Sequence, residues 1–198
     1  MESTEGVISK RIWVNNNICL RAIELSDAPI IFNTIDTQRA YLSEWLPFVR
    51  LTLDPQDTVN FVHTVMEAAQ KGDEFVYVVE LNGEFVGVIN IRVLSSANRI
   101  VDIGYWLSEH FQKKGVISSA VVSLCNYAFD QLNMNRIQIR CGKGNMSSKK
   151  VPQRLGFTYE GIIREGEWVN DKYIDLESYS LLKKERHKLP VWLLNTSK

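Results

Sequence analysis

The spacing of apolar and polar positions changes several times along the chain, and each change predicts an element. Residues 1 to 17 are polar, and Asn15-Asn16-Asn17 reads as a turn. "ICLRAIEL", 18 to 25, reads as a first strand. Ser26 or Asp27 then offers a cap for a short helix running to about Asp36. "QRAYLSEWLPFVR" carries aromatics and a proline without a period, so it reads as irregular. Asp54-Pro55 opens a longer helix, because a carboxylate caps free amides and proline sits where no amide donor is needed. Val62, Val65, Met66 and Ala69 form its apolar stripe, and Lys71-Gly72 ends it.

Strand patterning follows. "EFVYVVEL" and "EFVGVINIRVL" flank Asn82-Gly83, a pair that supplies the positive φ angles of a tight hairpin turn. "NRIVDIGYWL", 98 to 107, reads as a third strand antiparallel to the second. From Gly115 the period becomes helical, with Ile117, Val121, Leu124, Ala128 and Leu132 on one face and Asn133 and Asn135 at the close. "RIQIRC", 136 to 141, returns to a strand. A strand, helix, strand crossover predicts two parallel strands with the helix across one face. Ser147 or Ser148 is placed to cap a short helix ending at Leu155-Gly156, and two last strands, about 157 to 167 and 172 to 182, flank Asn170-Asp171. No repeat or linker interrupts this order, so residues 1–198 read as one mixed α/β domain.

Composition narrows the class of function. The chain has 198 residues, 45% of them hydrophobic, which is enough for one real core. Lys+Arg and Asp+Glu are equal at 23 each, so no global field favours nucleic acid. Three cysteines, Cys19, Cys125 and Cys141, are widely spaced and odd in number, which argues against a disulfide framework. "MESTEGVISKR" lacks an apolar signal core, and no apolar run approaches the ~18 to 20 residues of a membrane span. The expected setting is cytoplasmic, with no membrane partner. His63, His110 and His187 show no metal or triad spacing, there is no GxSxG elbow, and "GKGN" lacks the spacing of a nucleotide P-loop, so no metal is expected. Cys141 reads as a buried, inert thiol.

One stretch carries chemistry. "HFQKKGVISSAVV", His110 to Val122, gathers Lys113, Lys114 and Gly115 where a helix begins. A helix start presents free amides and roughly half a positive charge, and glycine admits close approach of a phosphate. The stretch lies beyond the carboxyl end of a strand, where open α/β sheets bind ligands. The next parallel strand runs into "GKGNMSS", bringing Asn145 and Ser148 to a neighbouring strand end. A cofactor with a diphosphate and an amide-bearing arm fits between two such strands.

These segments resemble the GNAT family of acetyl-CoA-dependent N-acetyltransferases, and more closely its RimJ/RimL-type branch. "LSEWLPF", "VDIGYWLSEHFQKKGVISSAV", "GNMSSKKVPQRLGF" and "EGEWVNDKYIDLESYSLL" carry the resemblance over about residues 16 to 185. It implies a mostly antiparallel sheet of about seven strands, helices on both faces and a central crossover. In the family loop pattern Gln/Arg-x-x-Gly-x-Gly/Ala, Gln112 and Gly115 fit, while Ile117 stands where a small residue is usual. By resemblance, the backbone of Gln112, Lys113, Lys114, Gly115, Val116, Ile117 and Ser118 holds the diphosphate of acetyl-CoA. Backbone groups at Trp106, Leu107 and Ser108 pair with the pantetheine arm, Asn145 hydrogen-bonds it, and Ser148 meets the departing thiolate or simply caps a helix. The branch implies a primary-amine acceptor, the N-terminal α-amine of a ribosomal or other protein or else a small amine, attacked directly without a covalent enzyme intermediate.

The acceptor must attack as a free amine. At pH 7 a lysine-like amine of pKa ~10.4 loses about 4 to 5 kcal/mol in shedding its proton, whereas an α-amine of pKa ~7.7 to 8.0 loses only about 1 kcal/mol. An α-amine therefore needs little help, and a carboxylate reached through water suffices. Glu74 is the first candidate for that carboxylate and Asp102 the second, and solvated strand residues are the plain alternative for each. Trp45, Phe48 and Trp168 are candidates for an acceptor cleft, Trp45 foremost because its segment has no period; packing is the alternative for each. The competing function is a non-catalytic acyl-CoA-binding or regulatory module on the same fold. The sequence does not choose between a monomer and a homo-oligomer. The basic then apolar tail reads as a contact surface over Leu189 to Leu194.

Overall fold

Eight strands form one sheet in the order β1-β2-β3-β4-β5-β6-β8-β7 in a computed structural model that describes residues 9–190. The strands are β1 (Arg11–Trp13), β2 (Ile18–Ala22), β3 (Glu74–Leu81), β4 (Glu84–Ser95), β5 (Ile100–Leu107), β6 (Arg136–Gly142), β7 (Thr158–Val169) and β8 (Lys172–Leu182). The helices are α1 (Ala28–Thr37), α2 (Arg39–Leu42), α3 (Pro55–Lys71), α4 (Val116–Asp130) and α5 (Met146–Arg154). The strand beyond the expected seven is β1, three residues at the sheet edge inside the polar lead, too short and too exposed to carry a pattern. Of the apolar tail, Leu189 is buried in the main core, and residues 191–194 lie outside the described residues.

Local chemistry sets most boundaries. Asp54 accepts from the Gln56 amide at 2.8 Å, Asp57 accepts from the amides of Leu53 and Asp54, and Gly72 at φ 77 stops α3. Asn82 and Gly83 take φ 54 and 82, the mirror-image turn that suits the twist of a hairpin. Two caps differ from expectation. Asp27 gives its carboxylate to the preceding turn and to Arg21, so α1 begins at Ala28 without a side-chain cap. Asn145, not Ser147 or Ser148, caps α5: its Oδ1 accepts from the Ser148 amide at 3.0 Å.

Cross-strand partners share a face, so register assigns the two sides of the sheet. Tyr77, Ile89, Ile103, Ile137 and Ile139 lie on one side with the buried residues of α4. Val76, Val78 and Val88 lie on the other with those of α1 and α3. Each fully buried Ile or Val contributes about 1.5 to 3 kcal/mol. No helix among the described residues is long and apolar enough to cross a membrane.

The feature that positions the site is a fork. The parallel strands β5 and β6 pair only over Ile100–Asp102 against Arg136–Gln138. Beyond these residues β5 stays with β4 as far as Leu107, and β6 stays with β8 as far as Gly142. A gap therefore opens in the middle of the sheet toward the carboxyl ends of both strands.

Candidate active site

The loop from β5 to α4 has the backbone geometry of an anion cradle. Lys113 and Gly115 both stand in the left-handed region, at φ 60 and 76, and α4 begins directly after them. Alternating backbone handedness of this kind turns successive amides toward one point. The amides of Lys113 to Ser118 find no acceptor among the described residues. Val116 and Ile117 are buried in the core, so the bulk of Ile117 is directed away from the cradle and only its backbone faces it. Gln112 departs from expectation. Its amide closes a turn on the Glu109 carbonyl at 3.2 Å, and its side chain donates to the Tyr41 hydroxyl. Lys113 and Lys114 are exposed, and Arg154 Nη1 reaches Ser118 Oγ at 3.4 Å, placing a third cation at the start of α4. This set of donors and charges fits a diphosphate.

Backbone polarity along the fork follows from pairing. The Ser108 amide donates to the Val86 carbonyl at 2.8 Å. By the alternation of an antiparallel ladder, Trp106 then turns its polar groups toward β4, while Ile103, Tyr105 and Leu107 turn theirs toward the gap. The Trp106 ring packs edge-on against Phe85, 5.9 Å between centroids, in the second core. Of the expected trio Trp106, Leu107 and Ser108, Leu107 is the one with backbone facing the fork. Ser108 Oγ accepts from Gln38 Nε2 at 2.9 Å, and the Glu109 amide donates to Gln38 Oε1 at 2.9 Å, which ties the end of α1 to the cofactor side.

Ser148 lies at the gap beside a residue the periodicity had hidden. Its Oγ donates to the Tyr105 hydroxyl at 3.4 Å, and that hydroxyl donates to the Ser148 carbonyl at 3.1 Å. Burial raises the Tyr105 pKa, so the phenol keeps its proton. Burial, with nearby Glu177 adding to it, pushes the Cys141 thiol up to about 11, which keeps it a thiol at neutral pH.

The opposite face of the fork is covered by the segment after α2. Trp45 lies over β6 so closely that a Cβ on Gly142 would stand 2.8 Å from its ring, and one on Gly144 3.6 Å. Two contacts clamp this segment to the turn between β7 and β8: Asn170 Nδ2 donates to the Ser43 carbonyl, and Arg50 pairs with Asp171, each at 2.8 Å. Phe48 is exposed on the turn Pro47–Arg50. Trp168 does not join Trp45. It pairs with Tyr173, while its neighbours Glu167 and Ile174 form the next cross-strand pair. Ile174 shares the Gly142 and Trp45 face, so strand alternation turns Trp168 to the other side.

That alternation brings in a carboxylate that sequence reasoning missed. Glu167 lies on the Trp45 face with no ion pair or hydrogen bond from the described residues. Its pKa is raised, first by burial, with Asp102 adding and Arg140 opposing. The two expected bases are both engaged. Glu74 accepts from Asn90 and from Arg92. Asp102 accepts from Arg140 at 3.0 and 3.2 Å and from Gln138 at 3.3 Å. Each has guanidinium protons within reach, whereas Glu167 has a free carboxylate. No group of three or more His, Cys, Asp or Glu that could hold a metal occurs among the described residues.

Comparison with known proteins places this geometry. A family model described as the acetyltransferase (GNAT) domain matches residues 17–158. The chain is 34% identical over 176 residues to YdaF of Bacillus subtilis (strain 168), provisionally named a ribosomal N-acetyltransferase, covering 87% of this chain and 94% of that one. It is 27% identical over 173 residues to the ribosomal-protein-serine acetyltransferase of Escherichia coli (strain K12), covering 87% and 97%. A solved structure of RimL, a ribosomal L7/L12 alpha-N-protein acetyltransferase in complex with coenzyme A, superposes with a TM-score of 0.83 at 27% identity, covering 87% and 97%. With a sheet that forks at a free-amide cradle and a family match over most of its length, the chain belongs to the GNAT acetyltransferases and is an acetyl-CoA-dependent N-acetyltransferase.

Proposed function

We propose that this enzyme acetylates the N-terminal α-amine of a protein, with a ribosomal protein as the acceptor class. The carrying observation is the unpaired, partly buried Glu167 on the Trp45 face, together with Ser148 beside Tyr105 at the gap. In this reading the amides of Lys113 to Ser118 hold the diphosphate, with Lys113 and Lys114 adding charge. The fork-facing backbone of β5 and the Asn145 side chain hold the pantetheine arm. The thioester then lies beside Ser148.

The acceptor enters beside the segment clamped by the Asn170 and Arg50 contacts. Its nitrogen attacks the thioester carbonyl directly. The new bond is C–N, the bond broken is C–S, the amine proton passes to Glu167 through water, and the Ser148 hydroxyl turns its proton from Tyr105 to the departing thiolate. An α-amine asks for only about 1 kcal/mol of deprotonation at pH 7, within reach of a single carboxylate whose pKa is raised. The names carried by YdaF and by the Escherichia coli enzyme support the ribosomal acceptor.

The test is a panel of ribosomal-protein N-terminal peptides, lysine side-chain peptides and polyamines with acetyl-CoA, read by mass spectrometry. The expected product is acetylated at the α-amine, and Glu167→Gln slows it about tenfold or more at pH 7. Turnover confined to polyamines or lysine side chains would count against the proposal.

A further inference from the structure

We propose that Asn90 orients the acceptor amine, and that Glu74 is the positioning residue that sets Asn90. The inference rests on the acetyl-transfer reading above and names a group that holds the nucleophile. Asn90 sits on β4 opposite Gly104 of β5, two residues past the last β5–β6 pair and therefore at the throat of the fork. Register puts both on the face that carries Asp102, Arg92 and Glu74, the acceptor side.

The orientation of the amide is fixed by chemistry. Glu74 can only accept a hydrogen bond, so the Asn90 atom beside it is the Nδ2 donor. The Oδ1 is thereby turned over Gly104, where an added Cβ would meet it at 2.6 Å. That oxygen has no donor among the described residues, and both Asn90 and Gly104 are partly exposed. A directed acceptor with no partner, above bare backbone where the sheet opens, suits an N–H of the incoming amine. The hydrogen bond aligns the nitrogen lone pair on the thioester carbonyl, and such alignment lowers a barrier through orientation. Glu74 in this arrangement needs its lone pairs and not its charge.

The test compares Asn90→Ala, Glu74→Gln and Glu74→Leu with the wild-type chain. The readouts are kcat/KM for an α-amine peptide, the dissociation constant of acetyl-CoA by calorimetry, and the thermal midpoint. Loss of one directed hydrogen bond predicts about a tenfold fall in kcat/KM for Asn90→Ala, with acetyl-CoA affinity within about twofold of wild type. Glu74→Leu, which frees the amide to turn, falls similarly. Glu74→Gln still accepts from Asn90 and stays within about twofold. An Asn90→Ala enzyme as active as wild type overturns the proposal, and so does a Glu74→Gln loss equal to that of Glu74→Leu, which would assign Glu74 a proton-transfer role instead. Failure of the wild-type chain to acetylate any amine in the panel overturns the acetyl-transfer reading, and the positioning proposal with it.

Discussion

Replacing Gly142 by alanine is the sharpest probe of the proposed acceptor side. The added Cβ would meet Trp45 Cε3 at 2.8 Å, Trp45 Cζ3 at 2.9 Å and Ile174 Cδ1 at 3.2 Å. Carbon atoms pack at about 3.5 to 4.0 Å, so the indole must retreat by roughly 0.7 Å or more. Backbone φ is not the obstacle, because Gly142 lies outside the left-handed region. Overpacking of this kind costs about 1 to 3 kcal/mol of stability. Its effect on catalysis is larger if the ring forms the acceptor wall, since displacing a reacting group by about 1 Å can cost ~10²-fold. The proposed diphosphate cradle, Lys113 to Ser118, belongs to a different loop and is left intact. Gly142→Ala should therefore lower kcat/KM for the acceptor tenfold or more, leave acetyl-CoA affinity within about twofold, and reduce the thermal midpoint by several degrees. Steady-state kinetics with varied peptide, calorimetry with acetyl-CoA and a melting curve separate the three effects. A Gly142→Ala enzyme with a lowered midpoint but wild-type acceptor kinetics would refute the reasoning and make Trp45 a packing residue only.

Two further outcomes are expected. The Glu167 pKa is raised in the folded chain, so the folded state binds this proton more readily than the unfolded one; its contribution to stability is full below the ordinary carboxylate value of 4.5 and is lost as pH rises through the folded value. Glu167→Gln should thus melt higher than wild type near neutral pH while turning over more slowly, with the difference vanishing in acid; equal midpoints across the range would contradict the assigned burial. Gly115 takes φ 76, and nothing lies within 4 Å of the point where a Cβ would stand, so Gly115→Ala meets a purely conformational penalty of about 1 to 2 kcal/mol, read as a lowered urea midpoint, together with weaker coenzyme A binding as the cradle relaxes.

What the sequence revealed and what it hid divide along the range of the interactions concerned. The Asn82-Gly83 turn, the Asp54-Pro55 helix start and the period change at Gly115 are local, fixed within a few residues, and their elements form close to where the pattern places them. The loop of free amides from Lys113 to Ser118 was legible for the same reason, since it is backbone geometry over one short stretch. The proposed acceptor side is made of cross-strand neighbours. Glu74 and Asp102 were visible as carboxylates, but the arginines that engage them, Arg92 and Arg140, come from β4 and β6. Trp168 drew attention as an aromatic, yet the residue on the Trp45 face is its neighbour Glu167, because a strand sends successive side chains to opposite sides. A register slip of one residue would exchange the two and remove the free carboxylate from the Trp45 face. The same dependence holds for Asn90: its bond to Glu74 and its place over Gly104 require the β3, β4 and β5 registers together. Backbone cradles are therefore readable from local pattern, whereas side-chain sites on a sheet become readable only once the pairing of its strands is known.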